Sequence, residues 1–278
     1  MNGVIPIAVI GDGPHARALK DHAAPLGRFS IRPDWRDPDV RAVLALGAPT
    51  DDIAAALRAG RVVLCPPPVT DLLRIANGKL IVAGEIAYSE AGARAIEMIR
   101  SSEFGPLRSL YVAIRQPRAN GGDVLDELGW EALDFVLSVA KPQRVHATTA
   151  TLFGGAAPDT VVILMRMQHD AVITVELSRC LPPTLPAPGL GEVEIEAMGA
   201  RQSIHLQPHA TSVSVYRDSG IGTAPWLDAP IIRMLRTIAA VVDGGATPDD
   251  PFPRQQAALA TMTALRASLN ASEAILVK

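Results

Sequence analysis

Apolar residues fall along this chain in two rhythms. In the first third, short continuous apolar runs alternate with stretches whose apolar positions recur every three or four residues. Residues 4–10 are β-branched and unbroken, as expected of a strand buried on both faces. Residues 14–24 then read as a helix. Residues 41–46 form a second apolar run, and 51–59 a helical stretch, with Thr50 or Asp51 to cap its start and Gly60 to end it. Residues 62–65 are a third strand, stopped by Pro66, Pro67 and Pro68. Residues 79–83 are a fourth, and 89–102 a helix that ends before Gly105 and Pro106. Strand and helix in alternation predict a parallel α/β sheet.

Beyond Gly105 the rhythm changes, and the boundary between the two halves is placed there. Residues 110–115, 144–151, 161–168, 172–178, 193–198, 203–206 and 212–216 read as strands. Helices are expected over 122–139 and 231–242, with a last one over 254–272. Strands in long succession predict an open, mostly antiparallel sheet with helices on one face. The stretch 181–188 holds four prolines and reads as a loop, because proline cannot sit inside a ladder. No internal repeat is present.

Composition narrows the function classes. With 278 residues, 48% hydrophobic and 20% charged, the chain has material for one large domain or two ordinary ones. Aromatics at 4% make the expected core aliphatic. The net charge of -3 and the lack of any basic run argue against nucleic acid, whose phosphates demand a basic face. No apolar stretch approaches the roughly 20 residues of a membrane span, and the apolar start has no basic residue before it, so it reads as a strand rather than a signal peptide. Cys65 and Cys180 match no metal or redox spacing and fit a reducing cytoplasm.

The sharpest local signal is Gly11-Asp12-Gly13-Pro14-His15-Ala16, a G-x-G-x-x-A pattern between the first strand and the first helix. Gly11 allows the tight turn, Gly13 lets a pyrophosphate approach the backbone, and Ala16 lets helix and strand pack closely. A helix N-terminus favours the anion. Against this stand a turn that binds nothing, the negative charge of Asp12, and Pro14, which removes a backbone donor. His15 could touch a phosphate or simply face solvent. An acidic residue is wanted about 20 residues on, at the end of a strand that Phe29-Ser30-Ile31 supplies, for the ribose hydroxyls. Asp34 is the nearest, while Arg32 would favour a 2′-phosphate, and both could equally be solvated loop charges. Between Ile31 and Val40 there is no room for the usual helix and third strand, so this half looks abridged where an adenosine would lie.

Two ungapped phrases carry a family resemblance. Ala59-Gly60-Arg61-Val62-Val63-Leu64-Cys65-Pro66-Pro67-Pro68 is similar to the "aGkhVlcEKP" phrase of Gfo/Idh/MocA oxidoreductases. Residues 121–134, GGDVLDELGWEALD, resemble that family's "GGGvLlDlGvHllD". Residues 103–107 resemble the opening of its second domain, and 253–277 its closing helix and strand. The resemblance implies an N-terminal Rossmann-like dinucleotide-binding domain over 1–104 and a C-terminal α+β substrate and dimerisation domain over 105–278, paired as a homodimer through the open sheet. It implies NAD or NADP as cofactor and hydride transfer on a small sugar, polyol, keto or imino substrate. The family's Glu and Lys fall on Pro66 and Pro67, its Asp on Glu127 and its His on Glu131. Pro68, Gly129 and Asp134 are retained, and Pro68 joins the cofactor-binding set.

Proline has neither proton nor charge to offer a developing alkoxide. Catalysis would then fall to Glu127, Glu131 and Asp134, spaced to share one helix face. Close carboxylates can share a proton and act as a general acid, or receive an amine or a hard cation, or form a solvated acidic face held by arginines. The other possibility is a catalytically degenerate relative that binds a ligand or a partner chain. Glu85 lies past the end of the fourth strand, where α/β sheets bind ligands, or is a surface ion-pairing glutamate. His205 and His209 are four apart, but Pro208 and the strand context remove the helical geometry of a zinc pair, so no metal is expected.

Overall fold

Five short parallel strands form the first sheet in a computed structural model of the chain, which describes residues 3–11, 14–23, 25–46, 48–69, 72, 75, 79–118, 122–151, 158–167, 170–183, 191–207, 212–217, 220–225, 230–244 and 252–277. β1 (Ile5–Ile10) has β2 (Phe29–Arg32) on one side and β3 (Ala42–Ala45), β4 (Val62–Cys65) and β5 (Leu80–Val82) on the other, in the order β2-β1-β3-β4-β5. All four pairings are parallel. Successive side chains leave opposite faces, so each apolar run feeds two cores. Ile5, Ile7, Leu44 and Leu64 pack with α1 (Pro14–Ala23) and with Met234, Leu235 and Ile238 of α6 (Pro230–Val242). Val43, Val63 and Cys65 pack with Ile53 and Leu57 of α2 (Thr50–Arg58) on the other face. Residues 33–41 join β2 to β3 without helix or strand, which leaves β2 at the sheet edge, as the short spacing predicts.

The second sheet has nine strands in the order β13-β12-β11-β10-β6-β9-β8-β7-β14. They are β6 (Leu107–Pro117), β7 (Pro142–Ala150), β8 (Thr160–Met167), β9 (Val172–Leu181), β10 (Glu192–Gly199), β11 (Gln202–Leu206), β12 (Ser212–Arg217), β13 (Gly220–Pro225) and β14 (Ile275–Leu276). Every pairing is antiparallel except β6 with β9, which run parallel near the middle. α3 (Glu85–Tyr88) and α4 (Glu90–Arg100) precede this sheet, α5 (Val124–Val139) packs on β6, β8 and β9, and α7 (Phe252–Ala271) leads into β14. Val112, Ile114, Val175, Leu177 and Ile195 are buried on one face, while the alternate positions Glu194, Glu196, Leu164 and Met198 are half-buried or exposed on the other.

β13 was not expected, since its sequence, GIGTAP, has little strand character. It forms because β12 offers an adjacent antiparallel edge. The parallel β6–β9 pairing is equally invisible to local pattern. The chain divides into two compact units, Met1–Ser89 with Asp228–Gln255, and Glu90–Leu227 with Gln256–Lys278. Among the described residues no helix is long and apolar enough to cross a membrane.

Candidate functional site

In the first unit, the glycine turn sits at the carboxyl end of β1. Gly11 has φ of +120°, and a Cβ there would strike the carbonyl oxygen of Leu46. That carbonyl is brought close by the bond from Leu46 N–H to the Ile10 carbonyl, 2.9 Å. Only glycine tolerates both the backbone conformation and the approach. Ala16 is fully buried in α1, as the close packing of helix on strand requires. Gly13 lies outside the described residues, as do the side chains of Pro14 and His15, which open α1. No acidic residue occupies the first turn of α1 itself, which favours an anion at its positive end, while Asp12, outside the described residues, counts against one.

Beyond β2 the fit is poorer. Asp34 is exposed, but its Oδ1 accepts from the Arg36 backbone N–H at 2.9 Å. The Arg36 guanidinium lies 3.6 Å from the same oxygen, sits over the Trp35 ring at 4.5 Å, and donates to Asp52 at 3.3 Å. The Asp34 carboxylate is thus turned onto its own loop, and Arg32 is exposed beside it. The Gly11 turn therefore suits the pyrophosphate of a dinucleotide better than the loop after β2 suits its adenosine. Pro66, Pro67 and Pro68 follow β4 directly, with a cis bond between the last two, and Pro68 is exposed. Glu85 is half-buried in the first turn of α3.

In the second unit, α5 begins at Asp123, whose Oδ1 accepts from the N–H groups of Leu125 at 2.8 Å and Asp126 at 3.3 Å. The predicted helix face is present but graded. The Glu127 side chain is 49% exposed, Glu131 is 9% exposed and Asp134 fully buried. A solvated acidic face therefore describes Glu127 alone, and the arginine that holds it is Arg179. This guanidinium, almost wholly buried at the end of β9, is paired with Glu127 and donates to the Gly122 carbonyl at 3.0 Å. Gly122 has φ of +84°, and a Cβ there would strike the Glu127 carboxylate. A cavity of about 340 Å³ beside the start of α5 is lined by Gly122, Asp123, Val124, Thr149, Val161 and Leu269, among others. Nothing in the sequence pattern around Arg179 distinguished it from an ordinary strand arginine.

A second polar cluster lies on the open face of the nine-stranded sheet. Arg115 donates from Nε to Glu176 at 3.0 Å and from Nη1 to Glu194 at 3.1 Å, and Tyr111 donates to Glu176 at 2.7 Å. Burial works against ionisation of Glu176, but the bonds from Arg115 and Tyr111 outweigh it and hold its carboxyl below the usual range. Burial and the Glu176 carboxylate push the Tyr111 hydroxyl up to about 12. His205 Nδ1 lies 3.0 Å from Glu196. His205 is in a strand, as expected, and His209 lies outside the described residues. The signal available in the sequence was the alternation Glu192-Val193-Glu194-Ile195-Glu196, which lines one face of a strand with carboxylates.

Residues 93–205 match the family model described as the GFO/IDH/MocA C-terminal domain. Among solved structures, a myo-inositol dehydrogenase from Corynebacterium glutamicum ATCC 13032 superposes with a TM-score of 0.79 at 18% identity, over 99% of both chains. An oxidoreductase from Agrobacterium radiobacter, in complex with NAD+, L-tartaric acid and magnesium, gives 0.76 at 14% identity over 98% of each chain. A levoglucosan dehydrogenase in complex with NADH and L-sorbose gives 0.75 at 19% identity over 99% of both. No curated protein matches the chain.

Proposed function

We propose that this chain, which carries the Gfo/Idh/MocA C-terminal domain on that family's two-unit fold, is a nicotinamide-dependent oxidoreductase of a small polar substrate whose proton is handled by Glu131. The observation that carries the reading is the burial of Glu131 and Asp134 on one face of α5, where the resemblance puts the substrate. A carboxyl on a helix face that fronts the substrate is the kind of group that can pass a proton to a carbonyl or imine. Asp134 would support Glu131 from one turn deeper. Glu127, paired with Arg179 and placed over Gly122, would orient substrate hydroxyls rather than exchange protons. A cavity in the size range of small-molecule sites lies at the start of α5, lined by Gly122 and Asp123 rather than by Glu131 or Asp134.

NAD or NADP would be held at the Gly11 turn and the N-terminus of α1, with Ala16 keeping the helix close, and Gly13, Pro14, His15, Asp34 and Pro68 completing the expected set. When bound, it supplies or accepts the hydride. Supporting a nicotinamide are the anion-tolerant start of α1 and the NADH and NAD+ in the solved neighbours' complexes. The substrate class, a sugar, polyol, keto or imino compound, rests on neighbours named for myo-inositol and levoglucosan. A homodimer through the open sheet is supported by the exposed Leu164, Val172, Met198 and Tyr216 on that face, and a reducing cytoplasm by two free cysteines.

The test is a titration with NADH and NADPH, followed by tryptophan fluorescence and heat, and then turnover of Glu131→Gln. Micromolar cofactor binding and a loss of at least about 100-fold in turnover, with cofactor affinity unchanged, are expected. Unchanged turnover removes Glu131 from the mechanism. Pro67 at the position of the family's lysine favours a second reading, a degenerate relative that binds a ligand or partner. That reading predicts no nicotinamide oxidation or reduction with any of a broad panel of sugars, polyols and imines.

A further inference from the structure

We infer that the open face of the second unit carries a site for one divalent transition-metal ion, built from Glu194, Glu196 and His205. The site is independent of the oxidoreductase reading and of the α5 carboxylates. Glu194 and Glu196 are two apart on β10, so their side chains leave the same face. His205 on β11 is the direct cross-strand partner of Glu196. One ligand atom from each of the three lies within 4.8 Å of the others. In a tetrahedral site with bonds of about 2.1 Å, ligand atoms stand on the order of 3.4 Å apart. Rotation of the two glutamate side chains covers that difference without moving the backbone. β10 is paired on both sides, by β6 and β11, so the ligands stand on a fixed base.

Charge points the same way. Glu176 and Glu194 share one guanidinium, Arg115, and Glu196 on the same face pairs with His205, before Glu192 further along β10 is counted. Three carboxylates against one guanidinium leave two negative charges among these groups, the charge that a divalent cation cancels. Arg115 also holds one oxygen of Glu194 at 3.1 Å and leaves the other for an ion, the way outer partners of metal sites fix their carboxylates. One imidazole with two carboxylates suits zinc, iron(II) or manganese, whereas magnesium and calcium want oxygen alone. Within a single chain the three side chains are half-buried or exposed, so an ion can enter from solvent before that face meets a second copy. Three protein ligands leave a position for water, and because all three come from one chain the site needs no second copy.

The full-length chain, stripped with EDTA, is titrated with zinc in competition with a chromogenic chelator. One zinc per chain with micromolar or tighter affinity is expected. His205→Ala and Glu196→Gln should each weaken binding by at least about tenfold, the smallest loss seen when even an outer partner of a metal site is removed. Zinc should raise the melting temperature of the native chain and leave that of the two variants unmoved, which separates lost binding from lost folding. Excess magnesium should not displace the zinc. Absence of stoichiometric binding overturns the proposal. So does binding that survives both substitutions, which puts the ion elsewhere, and so does equal binding of magnesium, which means the histidine is not a ligand.

Discussion

At the residue scale, single positions are decided by what surrounds them. Gly11→Ala would place a Cβ against the Leu46 carbonyl and strain a backbone at φ of +120°. A loss of about 3 kcal/mol or more is expected, read from urea unfolding. Cys65 is fully buried, and burial pushes its thiol up to about 12, so it stays protonated and unreactive at pH 8. A thiol reagent should titrate only the half-exposed Cys180 until the chain unfolds; two reactive thiols in the native state would contradict the packing of β4. Gly11 was legible in the sequence because the pattern, the strand before it and the helix after it all constrain the same turn. Glu131 and Asp134 were legible as neighbours on a helix but not as buried groups, since acidic residues are ordinarily exposed and only the sheet beneath α5 says otherwise. Arg179 was not legible at all. Its partner, Glu127, is 52 residues away, and no local spacing records such a pair.

At the element scale, α5 matters most, because it presents the candidate carboxylates. Asp123 caps it through two backbone N–H groups. Asp123→Ala should lower stability by about 1 kcal/mol and fray the first turn, where Glu127 begins; an unchanged melting temperature would show that the cap is redundant. Every helix but the short α3 and most strands followed from apolar rhythm, and the alternating runs on either side of Gly105 separated a parallel sheet from a mostly antiparallel one. What rhythm could not supply was partnership. β6 and β9 are parallel although α5, β7 and β8 lie between them in the chain, and β13 owes its form to β12. Pairings of this kind depend on which edges meet after folding, and a strand's own side chains do not encode that.

For the whole molecule, the open face of the larger sheet sets the response to pH. Glu176 has a folded value below its ordinary 4.5, so its contribution to stability is present above that value and is lost as pH falls through the folded one. Tyr111 is raised from 10.0 to about 12, so its contribution is complete below 10 and disappears as pH rises toward 12. Glu176→Gln should flatten the acid limb of a melting-temperature profile below about pH 4.5, and Tyr111→Phe the alkaline limb. Parallel displacement of the whole profile would instead mean that the cluster acts by packing alone.

The placement of α6 governs the order in which the protein can be made. Met234, Leu235 and Ile238 cover the same sheet face as Ile5, Ile7, Leu44 and Leu64, and Asp243 and the Val242 carbonyl meet Arg28 and Arg41 there. On a ribosome, residues 3–89 would emerge with one side of their sheet covered by α1 but not by α6, and the part that α6 fills would stay open while the strands of the second unit were synthesised. The first unit is therefore the first begun and among the last completed. Chains arrested before residue 230 should be captured by chaperones that recognise exposed aliphatic surface, and release should follow once α6 has cleared the exit tunnel.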